Sequence, residues 1–405
     1  MNTRKFSDAI SEIDDKYYEE AANYQSRRKK NTWIACGSIA AMLAIMVYAG
    51  TRFLPQKAPE TAAERPMLTI SENVSDGMGF ESYRAYDISE LVNANPWNDS
   101  LDISTLPVYH NPLTYDENFI ASGADFDKMH ELLLEVADRL GLDSEKLDIT
   151  DDAPDKETRK MITESFKIAG KKVPEGYFNP TKLLAEENGF RIEVDQTMTA
   201  TIFFDPAQSL PEKYHFTYHS SYEDILSTAE YLKQEYKDLI GIDNPQINVY
   251  GGNYNDQLEQ TYSIEFFDAN GSETEQILNY NFNGIAFYCD DSGKLFMARI
   301  HQPDLSQKAG DYPIITSEKA GELLASGNYI TNVPDEMPGL EYVSKVELVY
   351  HSETYDTYFM PYYCFYVELP EKEEENGLKT YGAYYVPAVR GDYISNMPTW
   401  NGDFN

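Results

Sequence analysis

Histidines and acidic side chains that lie close together in this sequence are its first candidates for metal chemistry. His215 and His219 have the four-residue spacing of a metal pair on a helix, but their surroundings (YHFTYH) predict a strand or loop. Along a strand the two residues would lie about 13 Å apart. Asp268, Asn270 and Glu273 carry oxygens that suit Ca²⁺, yet their loop lacks the twelve-residue EF-hand pattern. We therefore predict a hairpin turn at 268–271 and no metal site.

The motifs of common enzymes are absent from the sequence. It contains no HExxH, no G-x-S-x-G, no Walker-type glycine-rich loop and no CxxC. We predict no catalytic residue, no cofactor and no enzymatic activity. The alternative is a hydrolase, which would need an acid and a base that only the fold brings together. Cys289 and Cys364 lie in aromatic, strand-like runs, where two buried free thiols are favoured over a disulfide.

The composition is strongly acidic and rich in tyrosine. There are 68 Asp and Glu against 33 Lys and Arg, a net charge of −35, so nucleic acids and anionic lipid headgroups are unsuitable partners. A solvated surface explains this charge most simply, while cationic ligands, basic proteins and divalent ions remain alternatives. The 32 Tyr and 19 Phe predict well-covered β-sheets. An aromatic platform for sugars or peptides is the second interpretation.

One uncharged stretch predicts a membrane span. Residues 31–51 carry no charge, which matches the roughly 20 residues that a helix needs to cross a bilayer. Four basic residues precede it and predict a cytoplasmic N-terminus, namely Arg27, Arg28, Lys29 and Lys30. We therefore expect a signal-anchor helix at 31–54 and an extracellular C-terminal domain, that is, a single-pass protein of the cell membrane. Cleavage of a signal peptide near Ala49 is the alternative, but an N-terminal region of about thirty residues that is rich in acidic groups is unlike a signal peptide.

The segment before this span reads as an amphipathic helix. Its apolar residues recur at three- and four-residue spacing, namely Phe6, Ile10, Ile13 and Tyr17. Nothing in the neighbouring sequence offers an apolar surface to cover them. We therefore predict that these four residues bind a cytoplasmic protein; the alternatives are that the membrane surface covers them or that the segment stays partly disordered.

An internal repeat organises the rest of the chain. Helical spacing at 126–140 and at 222–240 ends each time in a glycine, Gly141 and Gly241. The residues that follow, GLDSEKLDIT and GIDNPQINVY, align without gaps at an offset of 100 residues. A third helix is predicted at 317–325, capped by Thr316. Each helix precedes strand-like runs, which predicts an α+β fold built from helix-plus-antiparallel-sheet modules.

The apolar span, the amphipathic segment and the repeat together predict the domains. They are a cytoplasmic tail (1–30), a transmembrane helix (31–54), a stalk and irregular segment (55–122) and three α+β modules (123–210, 211–310 and 311–405).

Two stretches resemble known families. The opening KFSDAISEIDDKYYEEAANY, followed by basic residues and one apolar span, resembles membrane-anchored anti-sigma-factor-like proteins of Gram-positive bacteria. That resemblance implies a cytoplasmic segment that binds a sigma factor and an outer domain that senses. The run YPIITSEKA at 312–320, after a DSGK turn and before long aromatic strands, resembles PepSY-type modules of extracytoplasmic two-component regulators. It implies a PepSY-like third module that acts by binding rather than by catalysis.

The leading functional hypothesis combines these observations. We expect a membrane-anchored extracytoplasmic sensor or regulatory protein whose tail binds a cytoplasmic protein, such as a sigma factor. Its outer domain would bind a peptide, a protein or a wall component. The alternative is a passive cell-envelope binding or structural module with no signalling role.

Overall fold

Sixteen strands and six α-helices make up the part of the chain that a computed structural model describes, residues 65–71, 81–115, 120–214, 216–217, 220–400 and 402. In chain order the strands are β1 (Ser82–Ala85), β2 (Thr105–His110), β3 (Thr114–Tyr115), β4 (Ala121–Ser122), β5 (Ile149–Asp151), β6 (Lys182–Glu187), β7 (Phe190–Asp195), β8 (Thr199–Ser209), β9 (Pro245–Tyr254), β10 (Gln260–Asp268), β11 (Gly284–Cys289), β12 (Lys294–His301), β13 (Lys308–Pro313), β14 (Val343–His351), β15 (Tyr358–Glu368) and β16 (Lys379–Pro387). The helices are α1 (Phe126–Arg139), α2 (Lys156–Ile168), α3 (Tyr222–Glu235), α4 (Lys237–Ile240), α5 (Glu273–Phe282) and α6 (Ser317–Ala325).

The internal repeat forms one eight-stranded antiparallel sheet. Its strand order is β5-β6-β7-β8-β12-β11-β10-β9, so two four-stranded halves meet where β8 pairs with β12. At that seam Ile202 lies opposite Ala298 and Ala200 opposite Ile300, and all four side chains are buried. Counted inward from either edge, the strands follow chain order, β5 to β8 on one side and β9 to β12 on the other. This is expected if each half is one copy of the repeat.

Helix α1 of the first half and helices α3 and α4 of the second half pack on the same face of this sheet. In α1, Met129, Leu133 and Val136 are buried at three- and four-residue spacing, and they share one core with Leu232 of α3. Asp125 caps α1 by accepting a hydrogen bond from the Lys128 N–H. The predicted helix over 222–240 is interrupted at Tyr236 and gives α3 and α4.

Gly141 and Gly241 end the repeated helices, as the sequence predicts. Their φ angles are +73° and +62°, a left-handed conformation that glycine adopts without a steric penalty. The chain therefore turns at the same point in both repeats. From there it enters β5 in the first repeat and β9 in the second.

A second, six-stranded antiparallel sheet is built mainly from the C-terminal strands. Its order is β1-β16-β15-β2-β13, and β14 also pairs with β15. Strands β1 and β2 come from the segment predicted to be irregular. Buried tyrosines fill this sheet and confirm that aromatic residues cover it, among them Tyr362, Tyr363, Tyr381 and Tyr384. Each buried hydroxyl that finds an acceptor avoids a desolvation cost, as in the 2.7 Å hydrogen bond from Tyr363 to the Ile315 carbonyl.

A polar network that includes the buried residues Asn248 and Glu347 connects the two sheets. Glu265 on β10 accepts a 2.9 Å hydrogen bond from the Asn248 side chain on β9, and the Asn248 oxygen accepts from the Ala94 N–H. On β14, Glu347 accepts from Asn93 at 2.7 Å and pairs with Lys345 at 2.6 Å. Segment 93–94 thus bonds to both sheets at once.

The predicted architecture of three repeated helix-plus-sheet modules is wrong. The described chain is β-rich, and the first two predicted modules share one continuous sheet, because β8 and β12 would otherwise be unpaired edges. The C-terminal strands do not form a module of their own, since β1 and β2 complete their sheet.

The predicted single-pass membrane architecture is also corrected. Across the described residues no helix is long and apolar enough to cross a membrane, which contradicts the predicted signal anchor, transmembrane helix and extracellular placement. The proposed span at 31–54 and the tail at 1–30 themselves lie outside the described residues.

Two helices depart from the sequence prediction. The expected hairpin turn at 268–271 is wrong, because Ser272 and Glu275 form a capping box that starts α5 there. Helix α2 was not predicted and interrupts the first repeat. By contrast, α6 begins at the predicted cap Thr316, and the turn at 290–293 forms the β11–β12 hairpin. Cys289 and Cys364 are free thiols, with Cys364 buried and Cys289 partly buried.

Glu265, at the contact between the two sheets, should make the stability of the folded protein depend on pH. Burial raises the pKa of its carboxyl above the usual range, although hydrogen bonds from Asn248 and Ser263 oppose the shift. A carboxyl whose pKa is higher in the folded state stabilises that state most at low pH, and this contribution is lost as pH rises through the folded-state pKa. Glu265→Gln should therefore gain stability relative to wild type as the pH rises above 4.5, because a higher pKa in the folded state costs wild type about 1.4 kcal/mol for each pH unit over which only the unfolded state is ionised.

Urea unfolding of both proteins from pH 4.5 upward measures the effect. Glu186→Gln, on the exposed face of β6, is the matched control and should show no such trend. A stability difference between Glu265→Gln and wild type that is constant with pH would show that Glu265 does not titrate in this way.

Candidate functional site

A polar cavity of about 250 Å³ lies where the two repeats meet. It is far larger than the roughly 10–15 Å³ that a single water needs. Its walls come from α1, the turn after α4, the end of β10, the end of α5 and the paired strands β11 and β12. They are formed by Arg139, Ile240, Gly241, Ile242, Asp243, Asp268, Asn283, Gly284, Ile285, Ile300 and Gln302.

Arg139 is the one cationic side chain in this wall. It occupies the last position of α1, where a cation interacts favourably with the helix dipole, and its side chain is only 16% exposed. Its Nη2 lies 2.5 Å from Oε1 of Glu135, one turn earlier. In the described chain Glu135 is its hydrogen-bond partner, which leaves most of the five guanidinium N–H donors for a ligand.

Gly241 makes room for the Arg139 guanidinium. A Cβ atom at Gly241 would lie 2.8 Å from Cζ of Arg139, closer than non-bonded atoms tolerate. The glycine that ends α4 therefore has a second role besides its left-handed conformation. Without a side chain at Gly241, the Arg139 side chain of the first repeat can lie against the turn that ends α4 in the second repeat.

Two aspartates supply negative charge to the same cavity. Asp243 follows the turn at Gly241, and Asp268 ends β10. Asp268 Oδ1 accepts a 2.9 Å hydrogen bond from the Asn270 N–H. Within the described residues neither aspartate forms an ion pair with Arg139. The cavity thus holds separate positive and negative groups that do not neutralise each other in a direct pair.

Amide and apolar side chains complete the wall. The Gln302 amide donates a 3.0 Å hydrogen bond to Asn283 Oδ1, which fixes both side chains. Four isoleucines also line the wall, but Ile240, Ile285 and Ile300 are almost fully buried and expose little apolar surface to the cavity. A guanidinium, two carboxylates and two amides suit a small molecule that carries both a carboxylate and an amine.

A wider groove of about 600 Å³ adjoins the cavity along α3 and α4. Ile242 and Asp243 line both spaces, so the groove leads to the cavity. Its other charged residues are of mixed sign, namely Glu230, Lys233, Lys237 and Asp238. The groove therefore presents charges of both signs beside the cavity.

The residues singled out in the sequence have different outcomes. Asp268 lies in the cavity wall, whereas Glu273 begins α5. Across the part of the chain that the structure describes, no group of three metal-ligating side chains is brought together. Several predicted residues lie outside the described residues: the partner-binding Phe6, Ile10, Ile13 and Tyr17, the topogenic Arg27, Arg28, Lys29 and Lys30, and His215 and His219.

Sequence reasoning missed Arg139, although the repeat carries a signal for it. At the offset of 100 residues Arg139 aligns with Leu239, which is buried in the core. A cation in one repeat where the other has a buried leucine marks a position at which the two copies differ in chemistry. Its closeness to Gly241 depends on how the halves meet, and the sequence does not show that.

Comparisons with known proteins do not assign a family. No family model matches the chain, and no curated protein matches it. Among solved structures, an uncharacterized protein from Eubacterium rectale ATCC 33656 is similar to it at 13% identity and a TM-score of 0.31. That match covers 74% of this chain and 86% of the other chain. A TM-score of this size supports no argument about function.

The equivalent glycines provide a matched test of the site. Gly241→Ala and Gly141→Ala both place a Cβ in a left-handed conformation, which costs about 1–2 kcal/mol. Nothing lies within 4 Å of a Cβ at Gly141, so that variant should show this cost alone. Gly241→Ala should in addition displace Arg139. We expect faster modification of Arg139 by phenylglyoxal in Gly241→Ala, measured by mass spectrometry. Equal Arg139 modification in both variants would contradict the proposed packing.

Proposed function

We propose that this chain is a non-catalytic binding protein that takes up a small zwitterionic molecule, of amino-acid size, in the Arg139 cavity. The observation that carries the proposal is the largely buried Arg139 guanidinium, which faces a 250 Å³ cavity with most of its donors unused by Glu135. A desolvated guanidinium binds carboxylates with high specificity, because its N–H groups match both carboxylate oxygens.

The net charge of the chain favours a zwitterion over a simple anion. A molecule of net charge −35 repels anions at long range, whereas a ligand with one carboxylate and one ammonium group is not repelled. Asp243 and Asp268 are placed to accept hydrogen bonds from the ammonium group. Both charged groups of such a ligand thus meet a complementary group.

Arg139→Gln tests the carboxylate contact. Hydrogen bonds to a charged group contribute about 1.5–3 kcal/mol, so the variant should bind such a ligand at least about tenfold more weakly. Isothermal titration calorimetry with glycine, L-alanine, L-leucine and L-glutamate, and with acetate and methylamine as single-charge probes, measures the affinities. Arg390→Gln is the control, because Arg390 is 49% exposed and pairs with Asp392 away from the cavity.

The titrations distinguish a result that supports the proposal from one that rejects it. The proposal requires that at least one amino acid binds wild type more tightly than acetate and methylamine do. It also requires that Arg139→Gln, but not Arg390→Gln, weakens this binding. Unchanged affinity in Arg139→Gln, or no binding by any of the four amino acids, rejects it.

A sensory role for this binding is the part of the sequence-based hypothesis that the cavity supports. Binding at the seam would bring Arg139 of one repeat and Asp243 of the other to a common ligand, and would so stabilise the contact between the repeats. The proposed link to a cytoplasmic protein stays a prediction, because residues 1–30 lie outside the described residues.

A further inference from the structure

Two nitrogen-bearing side chains meet at one carboxylate oxygen where the two sheets are in contact. Glu347 Oε1 lies 2.6 Å from Lys345 Nζ and 2.7 Å from Asn93 Nδ2. Lys345 and Glu347 are two residues apart on β14 and therefore share one face of that strand. Asn93 comes from the segment that joins β1 to β2. An amine and a carboxamide are thus neighbours around a single oxygen atom.

The partners of the Asn93 amide determine its orientation. Its Oδ1 accepts a 3.0 Å hydrogen bond from the Asn95 N–H, and its Nδ2 donates to Glu347. Because a backbone N–H only donates and an ionised carboxylate only accepts, the opposite orientation would lose both hydrogen bonds. The carbonyl of Asn93 is therefore polarised by a donor, while its nitrogen faces a group that can carry protons.

Neighbouring groups hold the carboxylate and the amine in place. Tyr366 donates a 3.1 Å hydrogen bond to Glu347 Oε2, which leaves Oε1 to the two nitrogens. Lys345 Nζ also donates a 3.2 Å hydrogen bond to the Leu91 carbonyl, which directs the amine toward the segment that carries Asn93. The Glu347 side chain is only 7% exposed. Little water reaches this carboxylate, so its neighbours are the groups with which it exchanges protons.

Another Lys–Glu pair of the same sheet shows what is particular to this site. Lys379 on β16 lies 2.7 Å from Glu368 on β15. In the part of the chain that the structure describes, no asparagine side chain shares that carboxylate. An ion pair needs only two partners. The third partner at Glu347 is a carboxamide, which is an electrophile that an amine can attack.

We propose that Lys345 and Asn93 become joined by an amide bond between their side chains, with Glu347 as the proton carrier. A lysine amine is a nucleophile once an adjacent base has taken its proton. Glu347 is within hydrogen-bond distance of both the attacking and the departing nitrogen, as a general acid–base group must be. The Asn95 N–H is placed to stabilise the negative charge that develops on Oδ1.

The reaction balances without a further reagent. Glu347 takes one proton from the Lys345 ammonium group, and the free amine attacks Cγ of Asn93. The Nζ–Cγ bond forms, and an electron pair moves onto Oδ1. When that pair returns, the Cγ–Nδ2 bond breaks and its electrons leave with Nδ2. Glu347 passes to Nδ2 the proton that it holds and a second one that Nζ then loses. The products are a secondary amide and one ammonium ion, and Glu347 is again a carboxylate.

This bond would fasten the contact between the two sheets. It ties β14 to segment 93–94, and the Ala94 N–H donates to Asn248 on β9 of the other sheet. A covalent link between residues so distant in the chain also restricts the unfolded state. The reaction occurs once and changes only the chain itself. It is therefore compatible with a non-catalytic binding role and does not depend on the Arg139 cavity.

Peptide mapping of the full chain tests this inference. The bond releases one ammonia, and trypsin does not cleave after an acylated lysine. We expect a branched tryptic species in which 85–128 is joined to 320–372. Its mass should be lower than that of the two separate peptides by one ammonia molecule. Fragmentation in the mass spectrometer should place the branch at Asn93 and Lys345.

Three variants complete the experiment. Glu347→Gln cannot carry the proton and should reduce the branched fraction at least about tenfold, leaving the linear peptides 85–128, 320–345 and 346–372. Lys345→Arg keeps the positive charge beside Glu347, so it should fold, and it should give no branched species. Lys379→Arg is the matched control at the Glu368 ion pair and should form the branch as wild type does.

Wild type that yields only the linear peptides at full mass rejects the inference. Loss of ammonia confined to a linear peptide also rejects it, because an asparagine can lose ammonia by closing on its own backbone. A branch that Glu347→Gln retains, or one that forms with loss of water instead of ammonia, contradicts the assigned chemistry.

Discussion

The pairing of β8 with β12 is the constraint on which the rest of this structure depends. Each repeat supplies four strands and a helical layer on one face, and alone it would leave one of these strands as an unpaired edge. Joining the two edges places the helices of both repeats side by side over one core, with Leu133 of the first and Leu232 of the second in the same cluster. The Arg139 cavity follows from this arrangement, because the end of α1 and the turn after α4 come together only when the halves are joined.

The contact between the two sheets is held in a different way. Glu265, Asn248 and Glu347 are polar residues in a tightly packed junction, and segment 93–94 bonds to both sides. Buried polar groups are costly unless every partner is present, so such a network permits few alternative arrangements. Apolar packing supplies the driving force in each sheet, while these hydrogen bonds define how the sheets meet.

Local patterns in the sequence predict the elements better than they predict the architecture. Apolar spacing and the caps Thr316, Gly141 and Gly241 locate α1, α6 and the ends of the repeated helices, since these signals depend on neighbouring residues only. The pairing of β8 with β12, and the entry of β1 and β2 into the C-terminal sheet, are contacts between distant residues that leave no periodic signal. For the same reason Asp268 could be noticed in the sequence, but its place beside Arg139 in one cavity could not.

Gly241 shows what is gained when two copies of a unit belong to one polypeptide. In a symmetric dimer of single repeats, any change would occur twice, so an arginine beside one of the two equivalent glycines would be accompanied by a second arginine beside the other. Within one chain, Arg139 replaces the leucine of its counterpart, and of the two equivalent glycines only Gly241 lies against it. Duplication followed by divergence can thus turn a structural seam into a single asymmetric recess, with one cation and one set of acidic neighbours.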